Sequence, residues 1–140
     1  MTGGAGVDLK PDYYDGAAFK DIDKSVVEDL YKLIIPSQVK EAQRPAAPNF
    51  FLEGKSANGS KAVMDRQACH DGAHGARAMH SLQNYGRKVP IYDGNAYTFT
   101  STYMPDLLQV FAHHVTAPTT PGGLPEYHMC TICLFWEHGP

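Results

Sequence analysis

One short apolar run that ends in an acid, a spacer and a lysine constrains this chain more than any other stretch. The run covers residues 49–55, Asn-Phe-Phe-Leu-Glu-Gly-Lys, and follows Pro48. Its three large apolar residues are typical of a buried strand. Because side chains alternate across a strand with a period of two, we expect Glu53 and Lys55 on the same face. The sequence therefore predicts a carboxylate and an ammonium group side by side at the end of a buried strand.

Length and composition restrict the number of domains and the class of protein. The chain has 140 residues, 43% hydrophobic and 19% charged, with a net charge of -3. These values favour one globular core and give no sequence-wide basic footprint for nucleic acid. We expect a flexible N-terminus over 1–10 and a single domain over 11–140.

The start of the chain and the lengths of its apolar runs bear on the location of the protein. The Gly-rich start has neither the basic nor the apolar part of a secretory signal, and no apolar run has membrane-spanning length. We therefore expect an intracellular protein, cytoplasmic or nuclear, with no membrane contact. Three cysteines, an odd number, do not indicate a disulfide framework.

Hydrophobic periodicity and turn residues predict an α+β fold. The expected elements are, in order, a turn at Asp15-Gly16, a helix over 24–34, a strand at 50–52, a helix from about 61 to 85, strands over 96–103 and 107–115, and a last strand within 129–136. This order indicates a small central sheet with a long helix packed across it. Gly72 and Gly75 within the long helix are expected to permit close approach of another backbone.

The strand over 96–103 alternates aromatic and hydroxyl residues. We expect its aromatic residues, Tyr97, Phe99 and Tyr103, to form the sheet core facing the helix. The alternative is that this stripe stacks nucleic-acid bases.

Two further positions belong with Glu53 and Lys55 of the run over residues 49–55. Pro11-Asp12 lies upstream, and Gln67 lies in the predicted long helix. An Asp, then Glu-x-Lys, then a helical Gln resembles the PD-(D/E)XK nuclease superfamily. The resemblance is closest to a group of uncharacterised fungal proteins related to these nucleases. It covers roughly residues 10–129 through the segments Pro-Asp-Tyr-Tyr-Asp-Gly, Pro-Asn-Phe-Phe-Leu-Glu-Gly-Lys, Arg-Gln-Ala-Cys with Asp-Gly-Ala, and Pro-Glu-Tyr-His-Met.

The resemblance implies a restriction-endonuclease-like core and a nuclease dependent on Mg2+ or Mn2+. It implies Asp12 and Glu53 as metal ligands, Lys55 as the catalytic lysine and Gln67 as a supporting residue. Hard divalent ions take carboxylate oxygens and retain waters, and a lysine ammonium stabilises the charge of the transition state. Nucleic acid, DNA rather than RNA, is the partner that this function implies.

Two differences from the superfamily pattern keep a second interpretation open. The Gln-x-x-x-Tyr pattern of its lambda-exonuclease-like branch puts tyrosine where this chain has Asp71, and few residues precede Asp12. A truncated or divergent copy is consistent with both. The alternative is an inactive scaffold that binds protein or nucleic acid, as an effector or conflict-system component. A homodimer that completes the sheet edge is a further expectation.

Two histidine- and cysteine-containing segments offer alternative zinc sites. His70 and His74 lie four residues apart on one predicted helix face, the spacing of a zinc pair. His128, Cys130 and Cys133, with His138, form the second set. The competing interpretations are exposed helix histidines for the first set and a buried thiol for the second.

Overall fold

The computed structural model describes residues 11–34 and 45–136. The elements are β1 (Tyr13–Ala17), a short 3-10 helix (Phe19–Asp21), α1 (Lys24–Ile34), β2 (Ala46–Gly54), α2 (Lys61–Gln83), β3 (Ala96–Met104), β4 (Leu107–Thr116) and β5 (Glu126–Trp136). The flexible segment expected over 1–10 and the fourth residue of the second zinc set, His138, lie outside the described residues. The α+β prediction is confirmed.

The five strands form one mixed sheet in the order β1-β2-β3-β4-β5. β2 and β3 are parallel and are joined by α2, whereas the other neighbouring strands pair antiparallel. The long helix α2 packs across β2 and β3, as predicted. In the described ranges, no helix is both long and apolar enough to cross a membrane.

The first helix forms where periodicity predicts it. The Asp23 carboxylate accepts a hydrogen bond from the Ser25 backbone N–H at 2.8 Å, which satisfies a free donor of the first turn. Val27 and Ile34 are buried in a cluster with Ala46, Ala47 and Ala78. α1 therefore packs where α2 and the start of β2 meet.

The glycines of α2 allow the helix to lie unusually close to the sheet. A Cβ on Gly72 would fall 2.0 Å from Cε1 of His113 on β4. A Cβ on Gly75 would fall 2.7 Å from Cγ2 of Thr98 and 2.8 Å from Cε2 of Phe51. Real Cβ atoms do not approach neighbours this closely, so glycine is required at both positions. The expected approach of another backbone is found at Gly75, where the Pro48 carbonyl oxygen would lie 3.1 Å from an added Cβ, but at Gly72 the close neighbour is a side chain, that of His113.

The expected turn at Asp15-Gly16 is wrong, because both residues lie inside β1. A Cβ on Gly16 would fall 2.8 Å from the Ala47 carbonyl oxygen. The glycine therefore serves close contact with β2, at the point where the register between the two strands shifts. β2 also begins earlier than the strand expected over 50–52, at Ala46.

The prediction that the aromatic residues of β3 face the helix is also wrong. Thr98, Thr100 and Thr102 are fully buried, whereas Phe99 and Tyr103 expose 36% and 53% of their surface. Thr98 contacts the position of Gly75, which assigns the threonine face to α2. β3 therefore presents threonines to the helix, whereas the rings of Phe51 on β2 and His113 on β4 fill the space beside the two helix glycines.

Gly72→Ala is expected to destabilise the protein, although alanine is normally favoured over glycine inside a helix by about 1 kcal/mol. The added methyl group would overlap the His113 imidazole. In a His113→Ala background the same substitution should be neutral or stabilising, because the ring is gone. Urea unfolding of the four proteins of this cycle measures the change of sign. Stabilisation by Gly72→Ala in the unsubstituted background would contradict the close packing.

Candidate active site

The pairing of β1 with β2 brings Asp12 to the end of β2. Tyr13 of β1 pairs with Leu52 of β2, so Asp12 lies opposite the last residues of β2. Its Oδ2 accepts a hydrogen bond from the Gly54 backbone N–H at 2.6 Å. The carboxylates of Asp12 and Glu53, 41 positions apart in the sequence, are thereby close enough for the charge of Asp12 to raise the pKa of Glu53.

Lys55 leaves the same strand end. Its backbone N–H donates to the Tyr103 carbonyl at 2.9 Å, which continues the pairing of β2 with β3 by one residue. Its aliphatic stem lies against Gly59, where an added Cβ would come within 2.8 Å of the Lys55 Cβ. Its positive charge acts on Glu53 and lowers the pKa of that carboxyl. The predicted grouping of an ammonium and two carboxylates is therefore present around the end of β2.

A fourth ionisable residue, Asp71 of α2, reaches the same place from the helix side. Glu53 and Asp71 each expose only 3% of their surface. Their carboxyl groups are close enough for each to act on the pKa of the other. Among the described residues, the buried Oδ2 atom of Asp71 has no hydrogen-bond partner.

The electrostatics of this pair follow from burial. Burial is the largest cause that raises the pKa of Asp71 to about 8, and the hydrogen bond to Glu53 and the charges of Glu53 and Asp12 add to it. Burial also raises the pKa of Glu53. Two buried carboxylates in contact cannot both remain charged without a compensating cation. In the absence of a cation, the pair therefore holds a proton at neutral pH.

Gln67 lies one helical turn before Asp71, on the same face of α2. Its Oε1 atom is buried and has no hydrogen-bond partner. The role of Gln67 as a supporting residue stays a prediction. Its position beside Asp71 places a second unsatisfied acceptor on the helix face that packs on the sheet.

Asp71 is the site residue that sequence reasoning missed. The sequence showed it only as a difference from the superfamily pattern. A usable signal was nevertheless present, because Met64, Ala68, Gly72 and Gly75 form the small apolar face of α2 and position 71 falls on that face. An acid on a buried helix face requires a partner.

The predicted zinc sites are incomplete in the described part of the chain. The rings of His70 and His74 are in contact, with centroids 4.7 Å apart, and Nε2 of His70 is buried without a partner. His128 instead pairs its Nε2 with the Thr116 hydroxyl at 2.8 Å. Cys130 and Cys133 are free thiols. Within the described residues, 11–34 and 45–136, no group of three or more His, Cys, Asp or Glu residues is placed to hold a metal ion.

The carboxylate site fits a hard divalent ion better than zinc. Mg2+ is commonly held by one or two carboxylates and keeps several waters, so it does not need three side-chain ligands. The donors at the end of β2 are oxygens, and one of them, Asp71 Oδ2, is buried without a hydrogen bond. A cation would compensate both this orphaned oxygen and the charge of the pair.

The chain was compared with protein-family models, with curated proteins and with solved structures, and none of the three comparisons finds a match. The resemblance to PD-(D/E)XK nucleases therefore rests on the sequence alone and stays a prediction.

The buried carboxyl pair should make stability fall as pH rises in cation-free buffer. The pKa of Asp71 is higher in the folded than in the unfolded protein, so the folded state binds more protons between about pH 4 and pH 8. Asp71→Asn should therefore stabilise the protein at pH 7.5, by on the order of 2 kcal/mol, and have little effect near pH 4. Urea unfolding in EDTA at several pH values measures this difference.

Comparing Asp71→Asn with the unsubstituted protein cancels the contribution of His113, which changes with pH in the opposite direction. Burial and the charge of His114 lower the pKa of His113 to about 4, so this histidine makes stability rise with pH in both proteins. Asp106→Asn replaces an acid by an amide at an exposed turn away from the pair and is the matched control. An Asp71→Asn effect that does not depend on pH would show that the carboxyl is not held neutral.

Proposed function

We propose that this protein is a divalent-metal-dependent nuclease of the PD-(D/E)XK type that hydrolyses phosphodiester bonds. The observation that carries the proposal is the hydrogen bond from the Gly54 N–H to Asp12. It holds the early aspartate next to Glu53 and Lys55, although it lies far from them in the sequence. Both the residue types and their convergence are those that the resemblance implies.

The donor set supports a hard cation. Asp12 is exposed and Glu53 is buried, so together they would hold Mg2+ or Mn2+ with one side of the ion open to water and to a phosphate group. When bound, such an ion lowers the pKa of a coordinated water and neutralises charge on the phosphate oxygens. The exposed position of Asp12 is the side from which a nucleic-acid backbone would approach.

Lys55 supplies the positive charge of this site from the chain itself. Its ammonium group would hold the attacking water by hydrogen bonding and stabilise the charge that develops on the phosphoryl oxygens. The water oxygen forms the new bond to phosphorus as the bond to the leaving oxygen breaks, the water gives up a proton to solvent, and the leaving oxygen takes one up. Gln67 would support this arrangement by accepting a hydrogen bond at its unpaired Oε1.

The proposed substrate is a nucleic acid, with DNA expected before RNA. The net charge of -3 means that binding would depend on local contacts at the site rather than on overall attraction. The intracellular location, the relationship to fungal proteins and the homodimer remain predictions from the sequence.

The second candidate function is an inactive nuclease-like scaffold that binds a protein or a nucleic acid. Contact between Glu53 and Asp71 is the observation that favours it, because a proton held by this pair competes with a metal ion. In that case the site would be a remnant, and the surfaces of the fold would carry the function.

Cleavage assays distinguish the two functions. We expect the chain to cut plasmid or single-stranded DNA, or RNA, with Mg2+ or Mn2+ and not with EDTA. Glu53→Gln and Lys55→Met should each reduce the rate at least about 100-fold, because each removes a charge that stabilises the transition state. Glu28→Gln and Lys88→Met, at exposed positions, are the matched controls and should retain activity.

The absence of metal-dependent cleavage of all three substrates would reject the nuclease. Cleavage that survives both site substitutions would come from a contaminant and would reject it equally. The scaffold interpretation would then stand.

A further inference from the structure

Asp71 occupies a position that a structural role alone does not explain. It lies on the face of α2 that packs against the sheet, next to Gly72 and its contact with His113. It exposes 3% of its surface and its carboxyl group faces Glu53. Uncompensated burial of an acid is costly, so a neutral residue there would give a more stable helix and sheet interface.

Within the described ranges, no protein cation contacts the Glu53–Asp71 pair directly, although the charge of Lys55 acts on Glu53 from a greater distance. Among the described residues, neither Glu53 nor Asp71 lies within 4.0 Å of a lysine, arginine or histidine nitrogen, and the ion pairs present are Lys24–Glu28 and Lys61–Asp65. The Oδ2 atom of Asp71 receives no hydrogen bond. When both carboxyls are charged, none of the described residues therefore satisfies this oxygen, and a bound cation would do so.

Asp12 is less suited to hold an ion directly. It is exposed, and its Oδ2 is already bound to the Gly54 N–H. Glu53 and Asp71, in contrast, are fixed by the packing of α2 on β2. A rigid, buried pair of carboxylates binds a cation with less loss of side-chain entropy than an exposed one.

We propose that Glu53 and Asp71 are the two carboxylates that bind the divalent cation directly, and that Asp12 contacts it through water. This inference rests on the proposed function and deepens it, because it assigns to a helix residue the role that the resemblance gives to Asp12. A site with two side-chain ligands and several waters is ordinary for Mg2+. It also agrees with the absence of a three-residue metal-binding group from the described ranges.

Binding of Mn2+ without substrate tests the assignment. Isothermal titration calorimetry on the full chain should show that Asp71→Asn and Glu53→Gln each weaken Mn2+ binding at least about 10-fold. Asp12→Asn should weaken it less than either of these. Asp106→Asn is the control and should bind Mn2+ as the unsubstituted chain does. Circular dichroism in EDTA verifies that each variant is folded.

A cysteine substitution tests direct contact in a second way. A thiolate prefers a soft ion to a hard one, so Asp71→Cys should shift the ratio of Cd2+ to Mn2+ affinity toward Cd2+ by at least about 10-fold. Asp12→Cys should change the ratio much less. The unsubstituted chain gives the baseline, since its free cysteines are present in every variant.

The outcomes separate the inference from the function on which it rests. If Asp71→Asn binds Mn2+ normally while Glu53→Gln and Asp12→Asn do not, or if only Asp12→Cys acquires the Cd2+ preference, the assignment of Asp71 is wrong and the nuclease proposal survives. If the unsubstituted chain does not bind Mn2+ at millimolar concentration, both proposals fail.

Discussion

The close approach of α2 to the sheet is the constraint on which the rest of the structure depends. Two glycines one turn apart, Gly72 and Gly75, allow the helix to rest against His113, Thr98 and Phe51. The side chains that face α2 are the threonines of β3 and, beside the two glycines, the rings of Phe51 and His113. The same contact decides which face of the sheet carries the aromatic residues and which positions of α2 lose contact with water.

The electrostatics of the candidate site follow from that contact. Because α2 lies so near β2, a carboxyl at position 71 is pressed against the carboxyl at position 53 and both are removed from solvent. The raised pKa of Asp71 is therefore a consequence of packing and not of the local sequence. A buried pair of acids favours either a proton or a cation between them, and the relative affinity for the two would decide whether the site is active at neutral pH.

The open side of the site has a different origin. Asp12 precedes an edge strand, and its position is set by the antiparallel register of β1 on β2 and by one backbone N–H. The site therefore has one carboxylate at the surface, that of Asp12, and two in the interior, those of Glu53 and Asp71. The exposed carboxylate is accessible from solvent, and the two buried ones are held by packing. Lys55 lies at the border between these regions, with its stem packed on the turn that leads into α2.

A large part of the fold could be predicted from the sequence. The bounds of α1, the long helix and the antiparallel pair of β3 and β4 agree with the periodicity and the turn residues, because those signals are local. The two failures at β1 and β3 have a common cause. The role of Gly16 and the inward face of β3 depend on the distance to another element, which no window of sequence contains.

By itself the sequence determined the helices α1 and α2 and the strands β2 to β5, the glycines that let α2 pack closely, and the placement of Glu53 and Lys55 at one strand end, since each of these depends on residues near one another in the chain. Only the tertiary structure decided that Asp12 meets Gly54 and that Asp71 meets Glu53. Those contacts join residues separated by a strand or a helix, so they require the register of β1 on β2 and the depth to which α2 settles on the sheet.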